Sequence, residues 1–235
     1  MKSLQESEFL DLVKGATVLT INGGGISVVK TVDEHIVKVF RPPSRFSSDL
    51  FSPRPLRFAQ AVRDLESLDI PTVRKLKMYW VPCMKRHVAH YLPMPGEELR
   101  DVLAGIGNIP DRSGPLIERW AGFLCHLHDK GVYFRGINFS NVLVGTGGEF
   151  GLIDVGSVQT RNSSLNPDLR ARNFKHPLAY SRDRDSICNF GLDRFISLYL
   201  QASSLTADRQ ARFLARLARQ HELLAEAAQK LSITS

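Results

Sequence analysis

Residues 127–156 read LHDKGVYFRGINFSNVLVGTGGEFGLIDVG, and the order of residue types in this stretch decides the fold class. Leu127 belongs to the apolar stripe of a helix, and Gly131 suits the C-terminal cap of that helix because glycine enters the left-handed conformation without strain. Phe134-Arg135-Gly136-Ile137-Asn138-Phe139-Ser140-Asn141 then has the mixed character of a loop. Val142-Leu143-Val144, the turn at Gly147-Gly148, and Phe150 to Ile153 form a short hairpin pattern. Asp154-Val155-Gly156 follows directly. A carboxylate at the end of the apolar run Leu152-Ile153 is costly unless it binds a metal ion or caps a turn.

Upstream, the pattern is β-rich. Ile26–Val32 and His35–Phe40 are β-branched runs separated by Asp33-Glu34, which predicts a hairpin, and Pro42-Pro43 ends its second strand. A short helix is expected from Glu6 to Lys14. A second helix is expected from Leu56 to Leu68, where Phe58, Val62 and Leu65 recur at helical spacing. Met78–Val81 and His87–Leu92 read as two more strands, and Pro93 to Gly96 forms a break. Beyond the break the chain turns helical, with one helix beginning over Glu97 to Leu103 and a longer one from Leu116 to Lys130. Leu116, Trp120, Phe123, Leu124 and Leu127 form the apolar stripe of that longer helix. The chain is helical again beyond Asp185 and ends, from Ala207 to Leu231, in an arginine-rich amphipathic helix or helix pair.

At 235 residues, 43% hydrophobic and 23% charged, the chain suits one domain, or one built of two lobes, that buries its core without disulfides. Three scattered cysteines, Cys83, Cys125 and Cys188, lack CxxC spacing, which argues for reduced thiols and against a zinc site. The charged start MKSLQESEFLDLVKG is unlike a signal peptide, and no apolar run approaches the roughly 18 residues needed to span a bilayer. The expected location is therefore cytoplasmic, with a membrane surface still open to it. A net charge of +7 favours an anionic partner, a mildly basic surface for solubility being the plainer alternative.

Four pieces, HIVKVFR (35–41), LESLDIPTV (65–73), LHDKGVYFRGINFSNVLV (127–144) and GEFGLIDVGSV (148–158), stand in one order and carry a resemblance. The chain resembles the bacterial lipopolysaccharide kinase-like branch of the protein kinase-like fold, which includes the Kdo and heptose kinases and the toluene tolerance proteins. The resemblance covers roughly residues 20–200. It implies an α+β, two-lobed fold with a β-rich N-lobe over about 1–92 and a helical C-lobe over about 93–235. In protein kinases a catalytic loop of the form H-R-D-L-x-x-x-N precedes D-F-G. Residues 134–141 match that spacing, with Gly136 standing where the catalytic aspartate should be.

The same resemblance places Lys38 against the α- and β-phosphates of ATP, as a fixed cation on a strand. The alternative for Lys38 is a solvent-facing strand lysine. Gly23, Gly24 and Gly25 precede the first expected strand, where backbone amides would approach phosphate. The full G-x-G-x-x-G pattern fails at Val28, and a flexible turn is the other reading. Asn141 and Asp154 would hold Mg2+ through an amide oxygen and a carboxylate. Asn138 stands where many kinases carry a lysine for the transferring phosphate. The expected helix glutamate is missing, since Glu66 lies late on its helix and faces solvent. Arg135 is expected to order the segment that follows it. Asp168, Asp183 and Asp185 are the candidates to replace the base. Cys125, His126 and His128 are expected to pack rather than react.

The expected function is thus an ATP- and Mg2+-dependent phosphotransferase acting on a sugar hydroxyl of the lipopolysaccharide core, or of another phosphorylated glycolipid. The basic stretch Arg161–Arg184 lies where a kinase presents its acceptor. The alternative is a pseudokinase that binds nucleotide or a partner protein and regulates envelope assembly, because Gly136 cannot accept a proton. Nucleic acid is not an expected partner, as no recognition motif accompanies the arginines of the last helix.

Overall fold

The computed structural model describes residues 1–22, 25–42, 53–107 and 110–234. The chain is α+β, with a β-rich N-terminal part and a helical C-terminal part. It divides into two compact units, Met1–Pro95 with Leu152–Gly156, and Gly96–Gly151 with Ser157–Ser235.

The first unit is built on a sheet in the order β1-β5-β6-β4-β3-β2. Its strands are β1 (Lys2–Ser3), β2 (Thr17–Asn22), β3 (Gly25–Lys30), β4 (Ile36–Val39), β5 (Arg74–Val81) and β6 (Arg86–Leu92). Successive side chains of a strand point to opposite faces. On one face Val29, Val37, Val81 and Val88 form a buried cluster with Leu4, covered by Phe9, Leu12 and Val13 of helix α1 (Glu6–Val13). On the other, Phe40 and Tyr91 pack their rings against Phe58 of helix α2 (Arg54–Ser67), at centroid distances of 5.8 and 5.7 Å. Lys38 alternates with Val37 and lies on this second face. The expected hairpin is formed by β3 and β4, with Val29 opposite Val37.

Two expectations need correction here. The glycine triplet does not precede the first long strand, because β2 comes before it and pairs antiparallel with β3, Asn22 opposite Gly25. The missed β2, TVLTIN, is uncharged but exposed along its whole length, so no alternation of burial marked it. Gly23 and Gly24 lie outside the described residues. The chain returns to the first unit over 152–156, where the Leu152 N–H donates to the Pro71 carbonyl and the Thr72 hydroxyl to the Leu152 carbonyl, each at 2.8 Å.

In the second unit, β7 (Glu97–Glu98) precedes helix α3 (Leu99–Ile106). Glu97 and Glu98 pair with Val144 and Leu143 of β9 (Val142–Val144) rather than opening the helix as expected. Helix α4 (Pro110–Asp129) ends at Gly131, whose φ of 78° and lack of a Cβ are both required. A Cβ there would stand 2.4 Å from the Arg161 carbonyl oxygen. Trp120 of α4 meets Phe139 and Phe150 edge-on, the latter in β10 (Phe150–Leu152). The chain then forms α5 (Pro167–Leu178), α6 (Ser181–Phe190), α7 (Leu192–Ala202), α8 (Ala207–Leu217) and α9 (Glu222–Thr234). The basic stretch 161–184 is therefore mostly helical and not an open loop. Asn166 caps α5 by accepting from the Leu169 N–H, and Pro167 supplies its first residue. Among the described residues no helix is long and apolar enough to cross a membrane.

A buried polar network joins α4, α5 and α7. The wholly buried Arg170 donates to Asp129, to the Tyr199 hydroxyl and to the Leu165 carbonyl. His128, also wholly buried, donates from Nε2 to the Asn173 side-chain oxygen at 3.0 Å, and its Nδ1 accepts from the Tyr199 hydroxyl at 2.8 Å. Burial pushes the His128 imidazole down to about 3, against a smaller upward pull from the Asn173 hydrogen bond. The unfolded chain binds a proton there below about pH 6.5 that the folded chain refuses. Stability is thus complete above that pH and is lost as pH falls from about 6.5 towards 3, by up to about 1.4 kcal/mol per unit. Urea unfolding at pH 7 and pH 5 should show that His128→Asn flattens this dependence. An equal slope in native and variant chains contradicts the assignment.

Candidate functional site

In the first unit the candidate side chains are Lys38 and Asp154, 116 residues apart in sequence. The Lys38 ammonium donates to the Asp154 carboxylate at 2.5 Å. Strand β4 sets the position of Lys38, and the stem lies among rings, with the ammonium 5.4 Å from the Phe58 centroid and 5.9 Å from that of Phe40. Cation–π attraction of this kind contributes about 0.5–2 kcal/mol. Helix α2 therefore offers Lys38 an aromatic ring where a glutamate was sought, and Glu66 is exposed as expected. Asp154 has a left-handed φ of 51°, a conformation that aspartate tolerates better than most residues and that recurs at functional sites. Its side chain is 61% exposed and that of Lys38 22%, so the pair has open carboxylate and ammonium edges for a ligand.

In the second unit the loop 134–141 is held from within and from behind. It leaves β8 (Tyr133–Phe134), which pairs with β11 (Val158–Gln159), Phe134 opposite Val158. The Gly136 carbonyl accepts from the side-chain amides of both Asn141, at 2.7 Å, and Asn138, at 3.0 Å. Committing the Asn141 nitrogen in this way fixes which end of the amide is oxygen, and that oxygen remains as a donor atom for a hard cation. The Asn138 oxygen accepts from the Ser140 N–H and, at 3.5 Å, from Arg100.

Behind the loop lies Asp183, in the first turn of α6 and 0% exposed. Its carboxylate accepts twice from Arg100, at 2.8 and 3.0 Å, and once from the Phe139 N–H at 2.8 Å. Hydrogen bonding to Asp183 holds the Arg100 guanidinium firmly charged, against a smaller opposing effect of burial. Arg100, in the first turn of α3, also lies over the Tyr180 ring at 5.3 Å. No periodicity pointed to Arg100; an arginine at a helix start has too many uses to be read alone.

The base candidates fare as follows. Asp183 is sealed from solvent and occupied by three donors, so it is a tether and not a proton acceptor. Asp168 is ion-paired to both Arg212 and Arg216 at 2.6 Å. Asp185 is exposed on α6 with only a distant contact to Arg184. The ordering role expected of Arg135 falls to Arg100, Arg135 being exposed. Cys125 is buried, with its thiol pushed up to about 12 by burial, and His128 belongs to the polar network; neither is reactive. His126 is exposed on α4. Gly25 opens β3 with a φ of 99° and has open space around its missing Cβ.

Gly136 itself is closed. A Cβ built there would stand 2.9 Å from the Ser157 hydroxyl oxygen, 3.0 Å from the Phe134 ring and 3.6 Å from the Asn141 amide nitrogen. Ser157, present in the quoted GEFGLIDVGSV but not singled out there, stands over Gly136 because the β8–β11 register brings it there.

Among the described residues no group of three or more His, Cys, Asp or Glu side chains is arranged to hold a metal ion. In comparisons with known proteins, no family model and no curated sequence matches the chain.

Crowding at Gly136 has a measurable consequence. Gly136→Ala should cost about 1–3 kcal/mol in urea unfolding, as overpacked sites do. Gly122→Ala, on α4 with nothing within 4 Å of its added Cβ, should instead stabilise by about 0.5–1 kcal/mol. Equal effects at the two positions contradict the closure of Gly136.

Proposed function

We propose that the chain is a kinase-like phosphotransferase that uses Mg2+–ATP and phosphorylates a sugar hydroxyl of a phosphorylated glycolipid acceptor of the lipopolysaccharide-core type, at the inner face of the cytoplasmic membrane. The observation that carries this reading is the Lys38–Asp154 pair, an ammonium and a carboxylate brought to 2.5 Å from positions 116 residues apart in sequence. Such a pair serves no apolar core, and it matches the phosphate-binding lysine and metal-binding aspartate of the resemblance. The sheet order and the loop-then-hairpin sequence before Asp154 support the two-lobed kinase-like fold.

Each residue then has one task. Lys38 would hold the α- and β-phosphates, and Asp154 and Asn141 are the residues that the resemblance assigns to Mg2+. When bound, the ion would supply positive charge against that developing on the phosphates. Exposed Arg135, Arg161, Arg172 and Lys175 in the second unit supply the positive surface that an anionic acceptor requires.

One observation favours a second reading, a nucleotide-binding pseudokinase. The Gly136 position has no carboxylate, and an added Cβ there would meet the Ser157 hydroxyl oxygen at 2.9 Å. General-base assistance contributes roughly 10²- to 10⁴-fold, whereas phosphoryl transfer rests mainly on positioning and charge stabilisation. Loss of the base therefore slows transfer without abolishing it.

Mg2+–ATP at a hundred times its dissociation constant stabilises a folded protein by about 2.7 kcal/mol, a rise in melting temperature of roughly 5 °C or more for a chain of this size. The native chain should show that rise and Asp154→Ala should not. No rise in the native chain defeats both nucleotide readings. With binding established, phosphate transfer from ATP to dephosphorylated core lipopolysaccharide decides for the enzyme, and its absence for the pseudokinase.

A further inference from the structure

The closest atom to the missing side chain of Gly136 is a hydroxyl. Ser157 Oγ lies 2.9 Å from the position a Cβ would take. Its location follows from the pairing of β8 with β11, which sets Val158 opposite Phe134 and so brings Ser157 alongside the start of the loop. Ser157 is half-buried, and its hydroxyl carries no hydrogen bond to any described residue. Neighbouring polar groups are already committed, since the Asn138 and Asn141 amides both donate to the Gly136 carbonyl. A serine hydroxyl donates one hydrogen bond and accepts two, so Ser157 is the unspent polar group at the place a base would occupy.

We propose that Ser157 takes over the acceptor-facing position that Gly136 leaves, its hydroxyl oxygen accepting a hydrogen bond from the acceptor O–H. This proposal rests on the phosphotransferase reading above. The acceptor oxygen forms a bond to the γ-phosphorus as the bond from that phosphorus to the bridging oxygen of ADP breaks. The acceptor proton passes to a γ-phosphoryl oxygen, and Ser157 keeps its own proton throughout. Ser157 thus orients and does not act as a base. The closed Gly136 and the open Ser157 form one exchange: the loop gives up a carboxylate, and the residue after Asp154-Val155-Gly156 fills the space with a hydroxyl.

Ser157→Ala, Ser157→Thr and Ser157→Asp, together with the native chain, test the assignment. Mg2+–ATP binding is read by thermal shift, and turnover by ADP release with water and with dephosphorylated core lipopolysaccharide as acceptors. All four proteins should show the same ATP-dependent shift. Ser157→Ala should lower kcat about three- to tenfold, the worth of one hydrogen bond, with the KM for ATP unchanged, and Ser157→Thr should restore it. Ser157→Asp places a carboxylate beside the vacated position. It should raise kcat about a hundredfold and add an acidic limb to the pH profile. If native turnover is too slow to detect, the gain in Ser157→Asp is the readout. Intact Mg2+–ATP binding with kcat and pH profile unchanged in Ser157→Ala and Ser157→Asp overturns the role of Ser157 alone. Absence of an ATP-dependent shift in the native chain overturns the phosphotransferase reading, and this proposal with it.

Discussion

A carboxylate with no access to water holds the loop at Gly136 in place. Asp183 accepts two bonds from Arg100 and one from the Phe139 N–H, so α3, α6 and residues 136–141 are joined through a single side chain. Removing one partner of such a buried pair leaves an uncompensated charge, which typically costs about 3–5 kcal/mol. The Asn138 and Asn141 amides donate back onto the Gly136 carbonyl, which leaves the Asn141 oxygen uncommitted among the described residues.

The same restraint explains why glycine fits at 136. The turn is so tightly drawn against Phe134 and Ser157 that even a methyl group meets atoms at 2.9 and 3.0 Å. The first unit departs from the kinase pattern in a compatible way, since Lys38 lies over Phe58 and Phe40 and its carboxylate partner is Asp154. In the phosphotransferase reading, Lys38 would exchange Asp154 for phosphate when nucleotide binds.

Much of the fold was legible in the sequence, where local patterning and tertiary burial agree. The β3–β4 hairpin, α2 and the apolar stripe of α4 were read from β-branched runs and from helical spacing of Phe58, Val62 and Leu65. Strand β2 escaped because it is exposed on both faces, and Glu97-Glu98 because two residues of strand carry no period. The helices within 161–184 were hidden by their charge. Arg170 there is buried, its cost met by Asp129, Tyr199 and the Leu165 carbonyl, partners 41, 29 and 5 residues away. At the site, the motif spacing singled out Lys38, Gly136, Asn141 and Asp154. Arg100, Asp183 as a tether, and Ser157 depend on contacts between segments distant in sequence, which spacing alone does not encode.

The central claim is that Lys38 and Asp154 are the phosphate and metal ligands of a nucleotide site that has lost its base. A crystal structure of the native chain with Mg2+ and a non-hydrolysable ATP analogue tests it most directly. The account predicts the ion on the Asp154 carboxylate and the Asn141 oxygen, with Lys38 released from Asp154 onto the α- and β-phosphates. An unbroken Lys38–Asp154 pair with the analogue bound elsewhere, or not at all, would contradict it.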